Sequence, residues 1–195
     1  MNTPTHMLIG AALFGRRGRP ALTVAALAGG LVPDIAMVVL VEWTIRIRNV
    51  PPRTIFGQLF FSDSWQRIFS IDHSFIVWGA LLAITLLLRK PVAGAFAAAG
   101  LAHAAVDFVV HNEDARRQFW PLSDFVFRSP LSYWDPAHYG SIVAPFEAAL
   151  VLALTLLLLW RQQGWWERGL ILVVATVLLL PIALTGGFHG LHGMG

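Results

Sequence analysis

His103, Asp107 and His111 follow one another at intervals of four residues. At 3.6 residues per turn each such step drifts by only about 40°, so on a helix the three side chains share one face. Two imidazoles and a carboxylate so placed can ligate a transition metal, as the paired histidines of H-E-x-x-H helices do, or relay protons. The stretch that carries them, 91–110, is otherwise apolar. Ionisable groups inside a bilayer are costly and by default mark function. The competing role is a hydrogen-bond cluster that fixes helix packing. Three such groups on one face favour a metal or catalytic role.

Other residues invite the same chemistry. Pro33-Asp34 stands just after Gly29-Gly30. Proline removes a backbone donor and clashes with the carbonyl four residues back, so a broken helix is expected there, with Asp34 projecting from the break into a bundle. Its alternative role is to satisfy the freed backbone amides. His6 follows Thr3-Pro4-Thr5, a cap and first-turn proline, and so belongs to a first helical turn. In Asp72-His73-Ser74 the carboxylate either orients the imidazole or caps the next helix and leaves His73 solvated; the N-cap is the favoured reading. Glu147 follows Pro145 by two residues in another apolar run and suits a general base or a packing partner.

The segment after His111 mixes charge, aromatics and proline, and reads as an ordered outer cap at about 111–140. Asp114 stays near the face of His111 if the helix continues and is a candidate base. Arg116 and Arg117 are available for a phosphate or carboxylate. The ordinary alternative is a surface segment with ion pairs. His138 lies in the same segment, while His189 and His192 sit in a Gly-rich tail and are weaker candidates.

The elements that must position these residues are membrane spans. The chain of 195 residues is 56% hydrophobic and 13% charged, with a mean hydropathy of +0.65. Soluble domains carry about 25% charged residues. Runs 21–41, 91–110 and 142–160 approach the roughly 20 residues that cross about 30 Å of hydrocarbon. Runs 74–88 and 169–185 are shorter and nearly charge-free. The expectation is an all-α polytopic integral membrane helix bundle of five to six spans, one domain over 1–195, with 7–15 as a sixth span or a re-entrant half-helix.

Charge patterning sets orientation and excludes classes. Arg16, Arg17 and Arg19, then Arg89 and Lys90, then Arg161 and Arg168 fall in short connections on one side, which the positive-inside rule makes cytoplasmic. Arg16, Arg17 and Arg19 follow the first apolar run instead of preceding it, unlike a signal peptide. Trp43, Trp65, Trp120 and Trp134 then lie toward the outer side, and Trp160, Trp165 and Trp166 toward the inner one, as paired aromatic belts. Every histidine falls in the outer half, with Asp34, Asp107 and Glu147. The sequence pI near 10.2 accompanies a net charge of only +3, spread over span ends, so nucleic acid is not an expected partner. With no cysteine, any metal rests on nitrogen and oxygen ligands.

Thr5-His6, Gly30-Leu31-Val32-Pro33-Asp34, His73-Ser74 and His103-x3-Asp107, in that order over roughly the first 115 residues, resemble the bacterial membrane-bound metal-dependent hydrolase family (YdjM-type). That family is distantly similar to the zinc-dependent phospholipase C and P1 nuclease class. The resemblance implies metal-site roles for His6, Asp34, His73, His103 and Asp107. Two departures stand out. Ala36 replaces the family's second acid, and Ile71-Asp72-His73-Ser74 lacks its preceding His-Arg pair, which points to a degenerate or mononuclear site. The segment 111–140 also resembles a Phe-Trp-Pro-Leu-Ser … Ser-Pro-x-Ser-Tyr-Trp-Asp block of uncharacterised proteobacterial membrane proteins.

The leading expectation is a metal-dependent hydrolase acting on a phosphate or ester of a lipid-like substrate at the outer face of a bacterial inner membrane. His6, Asp34, His103 and Asp107, with His73 and His111, would hold a divalent metal, zinc in the first instance, that activates water. Glu147 or Asp114 would act as base, and Arg116 or Arg117 would bind the leaving group. The alternatives are a small proton or metal-ion transporter using the same His/Asp face, and a non-catalytic structural membrane protein. Membrane lipids are expected partners; the sequence leaves substrate identity and oligomeric state open.

Overall fold

A computed structural model describes residues 1–185, which are helices and connections with no strand among them. His189 and His192 lie outside the described residues. The helices are α1 (Thr3–Phe14), α2 (Pro20–Arg46), α3 (Pro52–Thr54), α4 (Asp63–Asp72), α5 (Phe75–Leu87), α6 (Pro91–Val110), α7 (Gly140–Arg161) and α8 (Trp165–Thr185), with a π-helical turn at Ile55–Leu59 and a 3-10 turn at Pro136–His138. Among the described residues five helical segments are long and apolar enough to cross a membrane: α2, α4 with α5, α6, α7 and α8. The expected all-α bundle is therefore the observed fold.

Prolines in the first turns of α1, α2 and α6 start those helices where a missing N–H does no harm. The 12 residues of α1 extend only about 18 Å at 1.5 Å per residue, well short of a bilayer core of about 30 Å. The run 7–15 is thus part of a short helix packed inside the bundle against α2, α6, α7 and α8.

Two local expectations are corrected. Helix α2 runs unbroken through Pro33 from Pro20 to Arg46. The glycines before it serve close packing instead. A side chain at Gly29 would meet the Phe96 carbonyl oxygen of α6 at 2.1 Å, and one at Gly30 would meet the His6 carbonyl oxygen of α1 at 2.5 Å. Small residues that let helix backbones touch are the means by which membrane helices associate without a hydrophobic driving force. The second correction concerns the cap of α5. Ser74, not Asp72, accepts from the backbone N–H groups of Ile76 and Val77, both at 3.1 Å. Asp72 ends α4, and His73 is buried between the two helices.

The bundle is divided along its axis. Toward the short turns, Leu8, Leu27, Val151, Leu158, Ile171 and Leu178 form an apolar core. Toward the other end the interior is polar: His6, Asp34, His73, His103, Asp107 and Glu147 are all buried. Meanwhile Leu87, Phe146, Leu156, Val173 and Val177 stand exposed on the outside. A polar interior beneath an apolar exterior suits a helical bundle solvated by lipid.

The segment between α6 and α7 is tied back to the polar end. Ser129 N donates to His111 O at 3.0 Å, Tyr133 N to Val110 O at 3.1 Å, and Phe75 N to Gln118 O at 2.7 Å. Phe127 stacks on Phe108 of α6 with ring centroids 4.6 Å apart, and Phe119 meets Phe75 of α5 at 5.6 Å.

Candidate metal centre

Three elements bring four ligands together. Helix α2 supplies Asp34, the α4–α5 junction supplies His73, and α6 supplies His103 and Asp107 one turn apart. One ligand atom from each lies within 4.8 Å of all the others, and all four residues are buried. His103 Nε2 stands 3.2 Å from Asp107 Oδ2 and 3.6 Å from Asp34 Oδ1. His73 Nε2 stands 3.5 Å from Asp107 Oδ2 and 3.7 Å from Asp34 Oδ1.

The outer contacts of the imidazoles fix which nitrogens face inward. His103 Nδ1 is 2.8 Å from Gly30 O, and His73 Nδ1 is 3.2 Å from Phe69 O. A carbonyl only accepts, so in each ring Nδ1 carries a proton; in the neutral form the ring then turns a lone pair at Nε2 toward the carboxylates. Carbonyl partners of this kind orient metal-ligating histidines. Thr3 Oγ1 donates to Asp34 Oδ2 at 2.6 Å and leaves Oδ1 to the cluster.

With the imidazoles in that neutral form four acceptor atoms converge in a buried space, and His103 Nε2 has no hydrogen-bond partner. Acceptors facing one another repel unless a cation sits among them. Ligand atoms of a tetrahedral zinc site, at about 2.0–2.2 Å from the ion, are themselves about 3.3 Å apart. The separations here fit that spacing. Two carboxylates give the group anionic ligands for a cation, and the Met1 amino group already pairs with the far oxygen of Asp107. These residues can hold a metal ion.

Asp107 faces two ways. Its Oδ1 lies 2.9 Å from His6 Nε2, 3.0 Å from His111 Nε2 and 2.8 Å from the Met1 amino group. His6 stacks on His103 with ring centroids 3.7 Å apart. His6 and His111 thus gather on the far oxygen of Asp107, outside the group of four.

His111 ends α6, and its Nδ1 is 2.9 Å from Asp114 Oδ2, to which Trp134 Nε1 also donates at 3.2 Å. Burial works to raise the Asp114 carboxyl, but His111 and the charge of Arg116 outweigh it and hold that carboxyl below its usual range. Glu147 is turned to the start of α1. It accepts from Asn2 N at 2.8 Å, Asn2 Nδ2 at 3.1 Å and Thr5 Oγ1. Arg117 is partly exposed and pairs with Asp124 at 3.4 Å, whereas Arg116 is buried among aromatic rings. His138 lies 2.7 Å from Asp135.

Sequence spacing could not find Thr3, Asn2, or the carbonyls of Gly30 and Phe69. Their roles arise from contacts between helices distant in the chain. The one local signal was Thr3 opening a helix beside His6.

No family model, curated protein or solved structure matches this chain. The class defined by fold and site is an all-helical bundle with membrane-length helices and a buried His/Asp group suited to a metal ion.

Proposed function

We propose that the protein is a membrane-embedded, metal-dependent hydrolase acting on a phosphate or ester of a lipid-like substrate, as the resemblance to the YdjM-type family implies. One observation carries the reading: His73, His103, Asp34 and Asp107 bring one potential ligand atom each within 4.8 Å of one another in a buried space. A divalent ion held there supplies Lewis-acid polarisation of a phosphoryl or acyl oxygen and activation of water. Asp34 and Asp107 provide the anionic ligands, and Gly30 O and Phe69 O fix the imidazole tautomers. His111, between Asp107 and Asp114, lies where a proton can leave toward the loop. The proposal places it in a bacterial inner membrane, and the basic turns Arg16–Arg19, Arg89–Lys90 and Arg161–Arg168 support an outward polar end.

The test is metal content of detergent-purified protein by mass spectrometry, followed by phosphatase and lipase assays on the loaded form. We expect about one equivalent of zinc or manganese per chain, as for a four-ligand site. His103→Ala and Asp107→Ala should lose it, and hydrolysis should fall with occupancy. A metal-free wild type after chelator-free purification would overturn the metal reading. Stoichiometric metal without phosphatase or esterase activity would remove hydrolysis and leave a metal site.

A further inference from the structure

Arg116 is a buried cation with no direct ion pair; the Asp114 carboxylate acts on it only across space. It is only 3% exposed, and its Nε and Nη1 have no hydrogen-bond partner. Its third nitrogen, Nη2, reaches only the Met37 sulfur at 4.0 Å. The guanidinium carbon stands 4.8 Å from the ring centroids of both Phe60 and Phe69. Aromatic faces favour a cation but give its N–H groups no acceptor. Among the described residues no carboxylate forms an ion pair with Arg116, although Arg117, next to it, pairs with Asp124. A buried guanidinium whose N–H groups lack acceptors is unfavourable, and an anion within hydrogen-bonding reach would relieve it.

Its neighbours place this cation beside the metal centre. Phe69, under the guanidinium, is the residue whose carbonyl holds His73 Nδ1. Met37 stands one turn beyond Asp34 on α2. Two residues after Arg116, Gln118 is also buried, with both side-chain polar atoms unpartnered, while its backbone carbonyl anchors the start of α5. Segment 116–118 therefore holds a forked cation and an amide, both with open hydrogen-bonding capacity, in a low-dielectric setting. Guanidinium is the side chain best matched to the oxygens of a phosphate.

We propose that Arg116, with Gln118 beside it, is an anion-binding site that receives a phosphate group, which makes the molecule processed at the metal centre a phosphate-bearing one. The identity of that anion as substrate rests on the hydrolase reading; its binding does not. The phosphate belongs either to a lipid headgroup or to a soluble phosphate compound.

Thermal unfolding of the full chain in nonionic detergent tests this, before and after chelation. The probes are inorganic phosphate and dioleoyl phosphatidic acid, with dioleoylglycerol as the phosphate-free control. At least one phosphate bearer should raise Tm saturably, dioleoylglycerol should not, and chelation should leave the shift intact. Arg116→Met should abolish the shift and Arg117→Met should keep it. A shift with inorganic phosphate identifies the phosphate group as sufficient; a shift with phosphatidic acid alone identifies a lipid headgroup. No shift from either, or a shift that survives Arg116→Met, overturns the proposal. If Arg116→Met fails to fold, Arg116→Lys decides: phosphate affinity at least tenfold weaker supports the site, and unchanged affinity overturns it. A wild type that binds phosphate but no metal keeps the anion site and discards the hydrolase.

Discussion

At the scale of single residues, the cluster is organised by which atom of each side chain is already committed. His103 and His73 give their Nδ1 protons to backbone carbonyls, and Asp34 Oδ2 accepts from Thr3 Oγ1, so the remaining atoms turn inward. The pairing of His103 with Asp107 was legible because a four-residue spacing reports directly on one helix face. The role of Thr3 was not, because nothing in local spacing marks a contact with a residue 31 positions away. Asp114 yields a pH prediction. Its carboxyl is held below the usual range by His111 despite burial, so its ionisation adds stability that is complete above about pH 4, the unfolded value. That stability is lost as pH falls through the lower folded value. Asp114→Asn should therefore lower Tm at neutral pH and flatten the acid limb of the Tm–pH profile; an unchanged acid limb would contradict the ion pair.

At the scale of elements, the assembly of α1, α2 and α6 depends on backbones in contact. Gly29→Ala places a methyl against the Phe96 carbonyl, which is backbone and cannot swing aside. Overpacking of that kind costs about 1–3 kcal/mol, and the separation of α2 from α6 would also pull Asp34 from His103 and Asp107. The expected outcome is a lower Tm together with reduced metal content, whereas Gly79→Ala, where a Cβ meets open space, should change neither. Helix α7 acts on α1 at both ends. Glu147 takes the donors of Asn2 and Thr5, while Arg161 donates to the carbonyls of Ala11 and Ala12. These charges complement the α1 dipole and satisfy end groups that lipid could not. Glu147→Ala leaves buried donors unpaired and should cost about 1–3 kcal/mol in thermal or chemical unfolding. The sequence showed Glu147 only as a buried acid, since its partners lie about 145 residues away.

At the scale of the whole molecule, the spans were legible from long apolar runs, and the gathering of His6, His73, His103 and His111 at one end from the alternation of spans with basic turns. The expected break at Pro33 was not seen, because packing across Gly29 and Gly30 holds α2 as one helix in spite of the missing bond. Metal binding should be a stability term of the entire bundle, since the ligands come from α2, the α4–α5 junction and α6. A ligand present at 100 times its dissociation constant contributes about 2.7 kcal/mol, so chelation should lower Tm measurably in the wild type and leave His103→Ala unmoved. The hold of α7 on α1 has a topological meaning as well. Thr5 and its Glu147 partner stand 142 residues apart, so this one hydrogen bond joins distant parts of the chain. His6 lies on α1. The polar end of the bundle is thus closed by a contact between elements far apart in the chain, so a disturbance of α7 reaches the helix that carries His6.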